Sequence, residues 1–344
     1  MHSLLSLDIG KKNIHIVEGS FIKGSIMVNK AVTIDVPEGS FRGETISDPE
    51  ILMDSIKRAI QTHGFNTKEA VVTFDGYGSV IRDVDLPAAK PKEIAEMINN
   101  EMVQTYHVTS EKVIQYKNVE KVTGEDGILL DRYRVAAIDR EIVEAYHNLL
   151  IGLKLKPEAM DININAMDKL LEGEITINDT IINEEGAVLM DFGDELSTIY
   201  ILSKGKPIFY RQVDSGAGEI EKIVSDQVFE SVENIRKMKE EGFNFFGNGE
   251  EEQKYFNILR PFFYNLTDEI RKIIGFYTSR PNVGKAERMF LFGGGSNLKG
   301  FAEYCESSLG MHTEQITHIS KIKFKDPKTP LAPYMNAIGA LVRY

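Results

Sequence analysis

Two segments of this chain repeat one short pattern at a fixed distance, and that echo restricts the fold more than any other feature. Ser6-Leu7-Asp8-Ile9-Gly10 is followed by Ile14-His15-Ile16-Val17, and Leu189-Met190-Asp191-Phe192-Gly193 is followed by Ile199-Tyr200-Ile201-Leu202. Asp8 and Asp191 stand 183 residues apart, as do Gly10 and Gly193. Each copy reads as an apolar strand, a tight turn and a second apolar strand that ends near a glycine, Gly19 or Gly205. A pattern that recurs once at long range predicts two similar halves, each opening on a β-hairpin.

The totals agree with two domains. A chain of 344 residues exceeds what one hydrophobic core ordinarily serves. With 52 acidic against 40 basic residues the formal charge is −12, which argues against a nucleic-acid groove, since that needs concentrated positive charge to displace counterions. The single cysteine, Cys305, leaves no disulfide to form and fits a reducing compartment. The seven histidines show no i, i+4 pair, so a zinc site is not expected. Leu4, Leu5 and Leu7 before Asp8 are too short for a signal sequence, and no apolar run approaches a membrane span. A cytoplasmic protein is expected, recruited to a membrane only through partners.

Helices and strands follow the hydrophobic period. Asp48 and Pro49 open a helix that Gly64 stops, and Ala70–Phe74 is a buried strand. The apolar positions from Ile220 to Met238 predict one long helix ended by Gly242, the acidic stretch Asn248–Glu252 an exposed loop, and Ile258–Tyr277 a helix with Pro261 near its start. Met289–Phe292 reads as a strand, with helices over Asn297–Leu309 and Asn336–Val342. Between the halves, Ala88–Lys156 has its own pattern. Pro91 starts a helix, Val113–Val119 and Ile128–Ile138 are strands joined by the turn Thr123–Gly127, and Asp139 caps a helix that Gly152 ends. The expected division is 1–87 with 157–185 as a first domain, 88–156 as an inserted α+β subdomain, and 186–344 as a second domain.

Chemistry concentrates in the glycine turns. Gly10 lets its turn approach a ligand closely, and backbone N–H groups with Lys11, Lys12 and Asn13 could hold a phosphate. Asp8 would act through a bound cation or its waters, as carboxylates do with Mg²⁺. A lone Asp-x-Gly turn is more often an ordinary hairpin turn, but the second copy at Asp191 and Gly193 strengthens the phosphate reading. Phe290-Leu291-Phe292 runs into Gly293, Gly294, Gly295 and Ser296, a strand-to-helix turn where a flat group could lie against backbone; a plain connection would look the same. Gly216 and Gly218 before Glu219 offer another glycine-lined helix start, or a flexible loop. Lys321, Lys323, Lys325 and Lys328 read as a solvated loop in preference to a contact with anionic lipid.

In order along the chain, Asp8-x-Gly10, Asp191-x-Gly193 with Thr198, Gly293–Gly295 and Asn336-Ala-Ile-Gly339-Ala resemble the superfamily of actin, hexokinase and the heat-shock chaperones. Within it the chain is most similar to the PilM family of type IV pilus assembly. That likeness rests on Val36-Pro-Glu-Gly39, on Val80–Pro87 with the insertion directly after it, on Arg211-Gln-Val213 before Gly216-x-Gly218, and on Glu233 to Arg236. The resemblance implies an α/β actin-like ATPase fold, two duplicated domains around a nucleotide cleft with a small α+β insertion in the first. It also implies ATP with Mg²⁺ held through Asp8 and Asp191 or through waters, and ribose or adenine contacts from Gly216, Glu233, Arg236 and Gly294. The implied role is a cytoplasmic scaffold of the pilus inner-membrane platform. Its partners would be the cytoplasmic N-terminal segment of the membrane protein PilN, other pilus assembly proteins and further copies of itself. Lys11-Lys12-Asn13 stands where the family is serine-rich, and Leu196 interrupts the usual Ser/Thr run, so binding with slow or no hydrolysis is expected. Asp161–Asn165 could carry a water-activating group, yet no catalytic residue is assigned. An actin-fold small-molecule kinase would need a base and a sugar pocket that have no signature here. An FtsA-type filament protein would be expected to continue past Tyr344 into an amphipathic membrane helix.

Overall fold

The computed structural model describes residues 3–76, 78–124, 127–182, 186–203, 205–279 and 286–343, so Glu125 and Asp126 of the expected Thr123–Gly127 turn lie outside it. The chain divides into two compact units. One comprises Met1–Val36, Ala59–Phe74 and Asp161–Tyr344, the other Pro37–Arg58 and Asp75–Met160.

The larger unit holds both halves of the echo. In the first sheet the strands run in the order Lys156–Ile162, Glu69–Phe74, Leu4–Ile9, Asn13–Ile22, Ser25–Asp35, Ile322–Phe324. In the second sheet the order is His312–Gln315, Ala286–Phe292, Gly186–Phe192, Ser197–Ser203, Lys206–Val213. Each hairpin has its parallel neighbour on the same side, Glu69–Phe74 in one case and Ala286–Phe292 in the other. The echo extends to the hydrogen-bond register. Leu4 faces Gly19, Asp8 faces His15 and Ile9 faces Ile14; Ala187 faces Leu202, Asp191 faces Thr198 and Phe192 faces Ser197. Every one of these partners is displaced by the same 183 positions. The fold is therefore mixed α/β with a duplicated strand core, as expected.

Side-chain alternation separates core from site in the second half. Val188, Met190, Phe192, Ile199 and Ile201 enter a core built with Ile220, Leu259, Phe263 and Phe301. Asp191, Thr198 and Tyr200 consequently lie on the opposite face. Two short helices, Asn163–Leu170 and Met335–Ala340, pack on one another where Gly339 meets Ala166; a Cβ on Gly339 would collide with the Ala166 carbonyl.

Two helices depart from the sequence reading. The apolar stripe from Ile220 to Met238 is broken into Glu219–Val228 and Val232–Glu240 by Phe229, which takes a left-handed φ of 59° and is 95% exposed. Side-chain caps explain the break, because Ser225 Oγ donates to the Glu230 carbonyl at 2.6 Å and Ser231 Oγ accepts from Asn234 N–H at 3.1 Å, starting a new helix. The stretch Glu250–Glu252, expected as loop, is instead the first turn of the 29-residue helix Glu250–Thr278, so Pro261 lies inside it. Three carboxylates suit the positive end of the helix dipole, and the Gly249 N–H donates to Glu252 Oε2 at 2.8 Å.

The second unit is built on a three-stranded antiparallel sheet in the order Val80–Leu86, Leu129–Asp139, Lys112–Thr123. Val80–Leu86, placed before the insertion by the sequence boundary at 87, is thus an edge strand of this sheet. Val84, Leu86, Val135 and Ala137 bury one face against Ile94, Ile98 and Met102 of the helix Pro91–Gln104. Asp83 and Asp85 stand opposite Arg134 and Arg132 in register and pair with them at 2.9 and 2.7 Å. Hydrogen bonding to Asp85, against the opposing effect of burial, raises the Arg132 guanidinium further above its ordinary value.

Candidate functional site

Both aspartates sit one residue before the end of an apolar strand, and both turns close the same way. Gly10 N–H donates to the Asn13 carbonyl at 3.0 Å, and Gly193 N–H donates to the Leu196 carbonyl at 3.1 Å. Asp8 and Thr198 are buried. The Tyr200 phenol is fully buried with no hydrogen-bond partner among the described residues, and its pKa is pushed well above the ordinary value, first by burial and then by the charges of Asp191, Asp168, Tyr210 and Asp8. Asp8 and Asp191 thus act on one group from separate halves.

The third turn packs directly on the second. Gly293 has a φ of 81°, and a side chain there would strike Asp191 Oδ1; Gly295 would meet Phe192 and Ala217. Gly294 differs, since a Cβ there finds nothing within 4 Å. Ser296, expected at the ligand, spends its hydroxyl on the turn itself, donating to the Gly293 carbonyl at 2.7 Å and accepting from Gln315 Nε2 at 2.9 Å. Asn336 opens the Asn336-Ala-Ile-Gly339-Ala motif. Its Nδ2 donates to Asp191 Oδ2 at 2.8 Å while its Oδ1 is buried with no partner among the described residues.

Gly216 lies against the Asp194 backbone, and the Ala217 and Gly218 N–H groups donate to the Gly193 and Asp194 carbonyls at 2.8 and 2.9 Å. This loop is therefore built onto the second aspartate turn. Glu233 and Arg236 sit at the head of the helix Val232–Glu240, where they pair with one another at 3.1 Å. That helix is tied to the loop by Lys239, whose Nζ donates to the Ala217 carbonyl at 3.1 Å.

Lys11 and Lys12 occupy the first turn and Asn13 begins the following strand. Lys12 Nζ reaches Glu221 Oε1 at 3.2 Å and Asp194 Oδ1 at 3.7 Å, and Lys239 Nζ reaches the same Glu221 oxygen at 2.6 Å. Burial alone would raise the Glu221 carboxyl, but Lys239 and Lys12 hold it below its ordinary value. Burial draws the Lys239 ammonium down more than Glu221 raises it. No sequence pattern pointed to Asp194, Glu221 or Lys239.

Asp161, considered as a place to activate water, is buried and fully engaged. It pairs with Lys169 at 2.6 Å and Arg343 at 3.4 Å, and accepts from Asn165 Nδ2 at 2.6 Å. No cluster of three or more metal-ligating side chains exists among the described residues. A divalent ion here would rely on Asp8 and Asp191 with water and phosphate oxygens, which is how Mg²⁺ is commonly held.

His15, opposite Asp8, stacks edge-on with Tyr334 and has Nδ1 2.9 Å from Thr33 Oγ1; burial lowers its pKa from 6.5 to about 4. The folded pKa lies below the unfolded one, so the stability tied to the neutral ring is complete above pH 6.5 and is lost as pH falls toward 4. Allowing for partial exposure of the ring, the loss should be about 2 kcal/mol. Urea midpoints at pH 7.5 and 4.5 should show it, and His15→Gln should flatten that part of the profile. An unchanged pH dependence in His15→Gln would place the titration elsewhere.

Two register-matched α/β halves, each presenting an aspartate turn, define the actin-like ATPase class of architecture. Solved structures share it. A PilM–PilN type IV pilus biogenesis complex aligns over 98% of this chain and 97% of its own at 19% identity, with a TM-score of 0.81. The ethanolamine utilization protein EutJ from Carboxydothermus hydrogenoformans aligns over 99% and 89% at 13% identity with a TM-score of 0.57. MreB5 of Spiroplasma citri bound to AMPPNP aligns over 98% and 95% at 10% identity with a TM-score of 0.52. The sequence profile of the type IV pilus assembly protein PilM matches residues 6–341, and the chain belongs to that family. The family match does not favour the kinase and FtsA-type alternatives. No helix among the described residues is long and apolar enough to cross a membrane.

Proposed function

We propose that this chain is a nucleotide-binding scaffold of the type IV pilus inner-membrane platform, taking Mg-ATP at the aspartate turns and the cytoplasmic N-terminal segment of PilN elsewhere. The single observation that carries the nucleotide reading is the register-identical pair of turns with Asp8 and Asp191, beside a glycine turn whose Gly294 faces open space. When bound, Mg²⁺ would neutralise phosphate charge. Asp8 and Asp191 would orient it through water, backbone N–H groups of the turns would hold phosphate oxygens, and Asn336 fixes the Asp191 carboxylate. Gly216, Glu233 and Arg236 are assigned to the nucleoside. With Asp161 engaged by Lys169 and Arg343, hydrolysis should be slow.

Family membership supports the pilus role, and similarity to a PilM–PilN complex supports the partner. The insertion offers a receptive surface. Lys112–Thr123 is an edge strand, and a groove of ≈ 660 Å³ beside it is lined by Asn99, Val103, Val108, Lys112, Ile114 and Arg140. An extended segment can pair with such an edge while its apolar side chains fill the groove. Recruitment to the inner face of the membrane would follow from that contact.

The test is a two-stage calorimetric titration, Mg-ATP first and then a synthetic PilN N-terminal peptide. Wild type should bind both. Asp191→Ala should lose nucleotide binding and destabilise the fold by about 1–3 kcal/mol, because buried Asn336 Nδ2 loses its acceptor. Absence of Mg-ATP binding would remove the nucleotide reading, absence of peptide binding the partner, and rapid turnover would restore the kinase alternative.

A further inference from the structure

Lys12 is assigned above to the phosphate, yet its ammonium is already engaged. It lies on the first aspartate turn, while its partners belong to the second half: Asp194 on the second turn and Glu221 on the helix Glu219–Val228. One side chain therefore joins the duplicated halves beside the two turns. The junction is a built one. The Glu221 side chain is 2% exposed, that of Lys239 13% and that of Lys12 17%. Two ammonium and two carboxylate groups leave it with no net charge. Among the described residues Glu221 Oε2 is buried without a hydrogen-bond partner, and both lysines meet Glu221 through its other oxygen.

A nucleotide brings several negative charges to this neutral cluster. Asp194 would repel them, and a Lys12 that turned to the phosphate would give up its carboxylates on the second half. Lys239 stays 2.6 Å from Glu221, so the buried carboxylate keeps one cation when Lys12 departs. We propose that Lys12 is a two-position switch, held across the halves by Glu221 and Asp194 and taken over by phosphate at the Asp8–Gly10 turn, so that nucleotide binding unties the halves at this point. The switch rests on the nucleotide reading above. It makes Asp194 a positioning residue that weakens nucleotide affinity through its hold on Lys12, besides any direct repulsion.

A double-mutant cycle on the full chain separates these effects, using Mg-ATP titrations of wild type, Asp194→Asn, Lys12→Gln and the double variant, with thermal melts to establish folding. Relief of direct repulsion is the same in both backgrounds, whereas release of Lys12 exists only where Lys12 is present. Asp194→Asn should tighten binding about tenfold in the wild-type background and about threefold in Lys12→Gln. Lys12→Gln alone should weaken binding. Equal gains in the two backgrounds, or no gain with Lys12 present, would overturn the switch while leaving the nucleotide reading intact. Failure of all four folded proteins to bind Mg-ATP would remove the nucleotide reading and the switch together.

Discussion

Gly294→Val should leave the thermal midpoint within about 2 °C of wild type and weaken Mg-ATP binding about 10- to 150-fold, equivalent to roughly 1–3 kcal/mol. The separation of the two readouts follows from geometry. A Cβ built on Gly294 has nothing within 4 Å, so the side chain extends into open space and the folded protein accommodates it. On either side, Gly293 and Gly295 already abut Asp191, Phe192 and Ala217, so substitution there would disturb the fold before any ligand arrived. Gly294 alone in this turn tests occupancy without testing packing. Unchanged affinity in a folded Gly294→Val protein would show that nothing binds against that turn.

Gly339→Ala should destabilise the protein by about 2–4 kcal/mol, even though helix propensity favours alanine by about 1 kcal/mol. The two effects oppose each other, and contact distance decides between them. The added methyl would be driven into the Ala166 carbonyl, with the Ala166 Cβ only 3.3 Å away, where two backbones cross and neither can retreat without parting the helices. Gly275 provides the internal control. It lies in the helix Glu250–Thr278, where an added Cβ has nothing within 4 Å, so Gly275→Ala should stabilise by about 0.5–1 kcal/mol. Urea denaturation of the two variants should therefore shift in opposite directions. A stabilising shift in both variants would mean that propensity governs both sites and that the crossing tolerates a methyl group.

The duplicated turns were legible because two constraints coincide there: strand alternation fixes which residues face inward, and the common offset of Asp and Gly fixes where the chain reverses. Helix boundaries were legible only where periodicity and caps agree. The apolar stripe continues past Phe229, and the break rests on the Ser225 and Ser231 side chains, local hydrogen bonds that an apolar pattern does not register. Glu250–Glu252 looked like a loop because three adjacent carboxylates are solvated in most settings, whereas at a helix start the dipole favours them. Glu221 and Lys239 were not legible at all. They are eighteen positions apart on two helices, and only the fold brings a buried carboxylate to an ammonium from each half. Ser296 shows the reverse case, a polar residue in the right place whose hydroxyl serves the turn.

The first sheet is completed from the far end of the chain. Its edge strand Ile322–Phe324 pairs in parallel with Ser25–Asp35, and the helix Met335–Ala340 packs on Leu4–Ile9, Asn13–Ile22 and Glu69–Phe74. The first hairpin therefore depends on a helix far along the chain to cover its apolar face. The second hairpin, with its own helices encoded just after it, has no such dependence. Contacts of long sequence separation complete the first half and nearer ones the second, so the first half should be the slower to fold.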